Sequence, residues 1–269
     1  MLKDVSFGQY YPGNSFVHKM DPRVKMLLLI AYIVLVFVVK NFYGFIVVGA
    51  FLIFAVIISG LPFGKVLKSI KAVFFVVILT FILNILFYRP KTEPTVLFWK
   101  ISKESLVFAS FMAVRIITLV LGSMLLSLTT TPVALTDGIE SLMSPLKLVK
   151  FPVRELALVM SIALRFIPIL TGEAEKIMMA QKARGADLES GNVFKRAKAM
   201  IPVLVPLLVS AFRRAEELGD AMDSRCYNAG KRTKYKKLKA GWRDVLGTVV
   251  VAACIAGVIL LNIYAGALV

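Results

Sequence analysis

The chain has 269 residues, 58% of them hydrophobic, a mean hydropathy of +0.80, and 33 Lys and Arg against 16 Asp and Glu for a net charge of +17. Soluble globular chains average about 45–50% apolar residues, so the composition excludes an ordinary soluble domain and indicates a membrane protein whose charge is kept outside the bilayer, mostly on the cytoplasmic side. The two cysteines, Cys226 at the end of a polar helix and Cys254 in an apolar run, argue against a disulfide or thiolate metal site, and a single histidine, His18, leaves little for imidazole chemistry.

Residues 1–25 are polar and aromatic and lack the apolar core and cleavage site of a signal peptide, so they are read as a cytoplasmic N-terminal segment of the mature protein. Asp21 suits a helix N-cap and Pro22 the first helical position, where a missing N–H costs nothing. Apolar runs follow at Met26 to Val39, which is short for a span, and at Phe42 to Ser59, joined by the Lys40-Asn41 turn. Leu61 to Gly64 breaks the chain, Lys65, Lys68 and Lys71 follow, and Ala72 to Tyr88 is a third run. A mixed-charge loop, Arg89 to Lys103, leads to a fourth run, Ser105 to Thr131, which contains Arg115 and ends at Pro132. The last run, Val245 to Val269, carries no charge.

The stretch 129–244 differs, with 20 Lys and Arg and 12 Asp and Glu mixed among apolar residues at helical spacing. Within it, Met200 to Phe212 is apolar but too short to cross, and Pro202 and Pro206 are expected to kink or restart any helix there. A re-entrant or sixth spanning segment is the alternative. The resulting expectation is an all-α membrane protein. It has about five transmembrane helices (26–131 and 240–269) and a cytoplasmic coupling domain of about three amphipathic helices (132–239). Five spans with the N-terminus inside place 27 basic residues on the inner side against 5 outside, in accord with the positive-inside rule, and put the C-terminus outside. The insert is too apolar to stand alone in water, so its oily face needs the bundle, the headgroups or another protein.

One device occurs twice in the insert. Shifting by 41 positions lays Glu175 on Glu216, Ile177 on Leu218, Ala180 on Ala221 and Arg184 on Arg225. Each run ends in a small residue, an arginine and a small residue: Ala183-Arg184-Gly185 and Ser224-Arg225-Cys226. A cation at a helix C-terminus can serve simply as a cap on a solvated face. Capping does not require small residues on both sides, however, and a narrow tip led by a guanidinium suits a groove offering carboxylates or carbonyls. Two such tips suit two similar grooves on a pair of related partners.

These residues carry a resemblance. Ser15-x-x-His18-x-x-Asp21-Pro22-Arg23-x-Lys25, Thr130-Thr131-Pro132, Ala163-Leu164-Arg165-Phe166-Ile167-Pro168, Gln181-Lys182-Ala183-Arg184-Gly185 and Ser224-Arg225-Cys226, in this order, resemble the transmembrane T component of energy-coupling-factor (ECF) vitamin and metal importers, a branch of ATP-binding-cassette transport. The resemblance covers nearly the whole chain, and the second arginine motif departs from the commoner Ala-Arg-Gly form. It implies a non-catalytic subunit in a prokaryotic plasma membrane, bridging two related cytoplasmic ATPases and a small substrate-binding membrane protein. It further implies that ATP and Mg²⁺ belong to the ATPases and that Ala183, Arg184, Gly185, Ser224, Arg225 and Cys226 dock into them.

Other signals are discounted. Gly60 to Val66 has three residues between its glycines where a phosphate loop needs four, and valine where Ser or Thr should hold magnesium. Arg115 is either a functional intramembrane charge or a structural arginine, with no obvious acidic partner among the spans. The basic run Lys231 to Lys239 reads as a topology signal with affinity for anionic lipid rather than nucleic acid. Glu173, Glu175, Glu216 and Glu217 lack a nearby histidine and read as solvated helix faces. A self-contained secondary transporter or channel is the alternative function. It would show repeats or several ionisable groups among its spans, whereas here the repeat lies in the insert.

Overall fold

The computed structural model describes residues 10–87, 103–187, 190–227 and 241–264. The 1–9 segment, the loop 89–102, the basic run 231–239 and residues 265–269 of the last run lie outside the described residues. The regular elements described are all helical: α1 Pro22–Val38, α2 Phe42–Ser59, α3 Phe63–Phe87, α4 Lys103–Thr129, α5 Pro132–Leu142, a 3-10 stretch Ser144–Val149, α6 Val153–Ala183, α7 Val193–Ser224 and α8 Trp242–Tyr264. Contacts divide them into two compact units, one within Gly8–Leu142 and Leu238–Val269, the other within Met143–Lys237.

In the first unit, α2, α4 and α8 are long and apolar enough to cross a bilayer, and Val73–Phe87 is a shorter apolar stretch. The chain is an all-α membrane protein. Helix α1 touches α4, α5 and α8, and α2 packs on α4 and α8. Their shared core is Tyr32, Leu35, Val36 and Val39 of the α1 region, Phe45, Val48 and Leu52 of α2, Phe111 of α4, and Cys254 and Val258 of α8. Phe111 meets the Phe42 and Phe45 rings edge-on at 5.5 and 4.9 Å between centroids. Lipid is as apolar as leucine, so such helices associate through close packing and interhelical hydrogen bonds rather than through hydrophobic exclusion. Gly122 supplies the closest approach: a Cβ there would lie 2.2 Å from the Tyr32 ring, whose hydroxyl donates to Thr118 O at 2.7 Å.

Local sequence explains most helix ends. Asp21 caps α1, its carboxylate accepting Arg23 N–H at 3.0 Å, with Pro22 at the first turn as expected. Gly60 closes α2 in the left-handed region at φ 63°, where glycine bears no Cβ penalty. The Gly60 to Val66 stretch is therefore a helix stop followed by a helix start. Helix α3 begins at Phe63, nine residues before the expected apolar run, and carries Lys65, Lys68 and Lys71 exposed on its first turns. Thr131 caps α5, its hydroxyl accepting Ala134 N–H at 3.2 Å, so Thr130-Thr131-Pro132 ends one helix and opens the next.

Arg115 finds its partner in the backbone. Its Nη2 donates to Val39 O at 2.8 Å, and its guanidinium carbon lies 4.8 Å from the Phe111 ring centroid. Asn262 of α8 holds the same turn, donating to Val38 O at 2.8 Å while accepting Lys40 N–H at 3.3 Å. A cation and an amide thus satisfy the carbonyl end of α1.

In the second unit, α6 and α7 pack on each other. They span 31 and 32 residues, with Pro168 inside α6 and Pro202 and Pro206 inside α7. The expectation that Pro202 and Pro206 would restart a helix is corrected: α7 is assigned without a break, and Met200 to Phe212 forms its middle. Each proline deletes one bond of the ladder. The long flanking stretches keep theirs, and at a spacing of four the carbonyl deprived by Pro206 is that of Pro202 itself.

Gly122→Ala drives a methyl into the Tyr32 ring and is expected to lower the stability of the chain in detergent by about 1–3 kcal/mol. Gly49→Ala, where a Cβ meets nothing within 4 Å, is expected to leave it unchanged. Melting temperatures of the two variants check this.

Candidate functional site: two arginine-capped helix ends

Helices α6 and α7 end in the same backbone motif. At the end of α6, Gly185 N–H donates to Lys182 O at 3.0 Å and Ala186 N–H reaches back to Gln181 O at 3.0 Å. At the end of α7, Cys226 N–H donates to Asp223 O at 2.9 Å and Tyr227 N–H reaches Met222 O at 2.9 Å. Both are Schellman caps, in which the chain turns through a left-handed residue to satisfy the last carbonyls. Gly185 occupies that position at φ 83° and Cys226 at φ 54°. Arg184 and Arg225 occupy the equivalent cap positions one residue earlier. Ala183, Arg184, Gly185, Ser224, Arg225 and Cys226 are all exposed.

The small residue after each arginine therefore has a backbone reason. A Cβ in the left-handed region crowds the following carbonyl, which glycine avoids and cysteine tolerates under strain. The residue before each arginine is still helical and meets no such constraint.

The two helices are joined by an ion pair that the sequence reading assigned to solvated faces. Arg214 Nη2 lies 2.8 Å from Glu173 Oε2, Arg214 Nε donates to the same oxygen at 3.2 Å, and the Ser210 hydroxyl donates to Glu173 Oε1. Ser210 and then Arg214 hold the Glu173 carboxyl below its ordinary range. Positions 173 and 214 are 41 apart, the interval of the sequence repeat. The pair thus joins equivalent points of the two helices, and each arginine lies eleven residues beyond it, about 16 Å along a helix axis. Opposite charges at repeat-equivalent positions were the available signal, and they gain meaning only once the helices are known to touch.

The remaining motif residues gather elsewhere, at one end of the first unit. His18 takes Ser15 Oγ at Nδ1 at 2.6 Å and meets Tyr11 O through Nε2 at 2.9 Å; because a carbonyl only accepts, Nε2 carries the proton. Lys25 donates to Thr129 O at 3.0 Å and Thr130 Oγ1 at 3.1 Å. Asp244 accepts Asp21 N–H at 2.8 Å through Oδ1 and Gly241 N–H at 2.7 Å through Oδ2. Asp21, Lys25, Thr129, Thr130 and Asp244 are all buried. They knot the start of α1 to the end of α4 and the start of α8. Arg165 stands exposed on α6 and joins neither group.

The family model described as CbiQ, cobalt transport protein, matches residues 13–235. The chain belongs to this family, as an ECF transporter T component. It is 47% identical over 262 residues to the energy-coupling factor transporter transmembrane protein EcfT of Clostridium kluyveri, covering 95% of this chain and 97% of that one. It is 44% identical over 260 residues to the protein of the same name from Bacillus subtilis, covering 94% and 97%. A third, from Thermosediminibacter oceani, is 44% identical over 245 residues, covering 91% and 92%. The T component is thus an energy-coupling subunit of a membrane transporter, in the cell membrane, with the two arginine caps in its second unit.

Two outcomes are expected of these caps. Gly185→Ala places a Cβ in the left-handed region and destabilises the α6 tip by about 1–2 kcal/mol, whereas Cys226→Gly relieves that strain at the α7 tip. Amide exchange should quicken over Gln181 to Ala186 in the first variant and slow over Met222 to Tyr227 in the second. The Glu173 carboxyl lies lower in the folded chain than in the unfolded one. Its contribution is therefore present above the unfolded carboxyl's value and lost as pH falls through the folded one. Protection of the α6–α7 contact should fall with pH through the acidic range in the natural chain, and Glu173→Gln should flatten that dependence.

Proposed function

We propose that this T component transmits ATP-driven motion from two related cytoplasmic ATPase subunits to a small substrate-binding membrane protein, for uptake of vitamins or other micronutrients. The observation that carries the reading is the pair of matched, exposed arginine caps, set at equal distances from the Glu173–Arg214 pair. Two equal prongs fit two similar sockets. A guanidinium at a helix C-terminus already neutralises the local dipole and can present its remaining donors to a carboxylate or carbonyl groove.

In this reading Ala183, Arg184 and Gly185 enter one ATPase and Ser224, Arg225 and Cys226 the other. ATP binding draws the ATPases together, the tips follow, and the helices behind them move. The substrate-binding protein takes the apolar surface of α7, where Ile201, Leu204, Val205, Leu208 and Phe212 stand exposed at helical spacing. The chain itself performs no catalysis, and ATP and Mg²⁺ are held by the ATPases. The count of basic residues supports a cytoplasmic N-terminus and coupling domain with the C-terminus outside.

Arg184→Ala and Arg225→Ala are each expected to weaken ATPase attachment by about 2–5 kcal/mol, the range for truncating one partner of a desolvated charge pair. The double variant should lose co-purifying ATPases and substrate uptake while remaining folded in the membrane. Normal uptake with normal co-purification in the double variant would remove these residues from the coupling role.

A further inference from the structure

The first unit contains a cavity of about 370 Å³ that the coupling reading does not use. Its floor is α1 and α4, through Leu28, Tyr32, Gly122 and Leu125. Its sides are α2, through Phe54 and Ala55, and α8, through Leu246 and Val250. Toward the other end of these helices the space is filled, because Val48 of α2 and Cys254 and Val258 of α8 are buried in the common core. The cavity is thus a cleft between α2 and α8. Phe54 and Leu246 on its sides remain about half exposed. Both belong to helices long and apolar enough to span a bilayer, so the cleft opens toward hydrocarbon.

The lining carries its charge, that of Lys25, at one end. Of its polar side chains, Tyr32 has its hydroxyl engaged by Thr118 O, and Lys25 and Thr129 sit together in the buried knot. Lys25 and Tyr32 are seven residues apart on α1, so the apolar slot runs about 10 Å from the ammonium inward. Lys25 commits two of its three N–H donors, to Thr129 O and Thr130 Oγ1. Asp244, held by Asp21 N–H and Gly241 N–H, offsets the Lys25 charge, and the adjacent Arg243 adds a second cation at this end. The rim at this end is aromatic and basic. Phe16, which lines the cleft, meets Trp242 edge-on at 5.7 Å, and the Arg243 guanidinium lies over Trp242. Aromatic rings with cations mark the headgroup level of a bilayer.

We propose that this cleft holds one acyl chain of an anionic phospholipid, with the chain between α2 and α8 and the headgroup at the basic end beside Lys25 and Arg243. A slot that is apolar along its length and cationic at one end matches an anionic amphiphile. Its volume lies within the range of small-molecule sites.

The full chain, reconstituted in vesicles of equal parts phosphatidylglycerol and phosphatidylcholine and extracted in mild detergent, tests this by native mass spectrometry. The natural chain should retain one lipid, with phosphatidylglycerol favoured about five-fold, equivalent to about 1 kcal/mol for one nearby cation. Ala55→Phe fills the slot from α2 and Val250→Phe fills it from α8. Each should abolish that retention at an unchanged melting temperature, while Ile53→Phe, on an exposed position of α2 that does not line the cleft, should leave it intact. Equal retention of the two lipids overturns the proposal, as does retention that survives both filling variants. Filling variants that keep their lipid but shed a co-purifying membrane protein also overturn it and assign the cleft to that protein.

Discussion

A helix that ends inside a bilayer must find partners for its terminal backbone groups, and this requirement shapes the first unit. Helix α1 has 17 residues, about 26 Å, less than the roughly 30 Å of hydrocarbon. Water is scarce at such ends, and each unsatisfied group there costs several kcal/mol. With its start at the headgroup level, α1 falls short at its far end, and side chains from other helices serve both ends. Asp244 of α8 takes Asp21 N–H at one end; Arg115 of α4 and Asn262 of α8 take Val39 O and Val38 O at the other. These bonds do more than satisfy the backbone. They fix α1 against α4 and α8 where apolar contact alone gives little preference for one register over another.

The second unit solves a different problem. Its helices carry exposed apolar side chains, and they are joined by a partly exposed ion pair. An exposed pair contributes little to stability, but its position is informative. It connects residues 41 apart in a segment whose sequence repeats every 41 residues, so it behaves as a local symmetry element. Equivalent points touch, equivalent arms extend from them, and equivalent caps end the arms. Such matching fits a subunit that faces two similar partners.

Much of this was legible in the sequence, and the failures have physical causes. Asp21-Pro22 announced the start of α1 because the cap and the first-turn proline are local chemistry. The stop of α2 lies one residue before the Leu61 to Gly64 break, because Gly60 already closes the helix in the left-handed region. The start of α3 precedes the expected apolar run because hydropathy registers polarity and not helicity; a helix can carry exposed cations on its first turns. The partner of Arg115 was hidden because it is a carbonyl. Any residue offers that group, and only the fold shows that the free carbonyls at the end of α1 lie within its reach. The buried knot of Lys25 and Asp244 was equally hidden, since its bonded members lie 104 to 223 residues apart.

The arginine motifs show how far a short pattern can be read. Small-Arg-small suggested a narrow tip, yet the caps separate its two small residues into different roles. The residue after the arginine adopts a left-handed conformation and the residue before it does not. That is why glycine and cysteine are equivalent in geometry while unequal in strain. It also explains why the departure of the second motif from the commoner form leaves its shape unchanged. What repeats between residues 183–185 and 224–226 is a set of hydrogen bonds that places a guanidinium at a helix end, and the arginine is the residue identical in both copies.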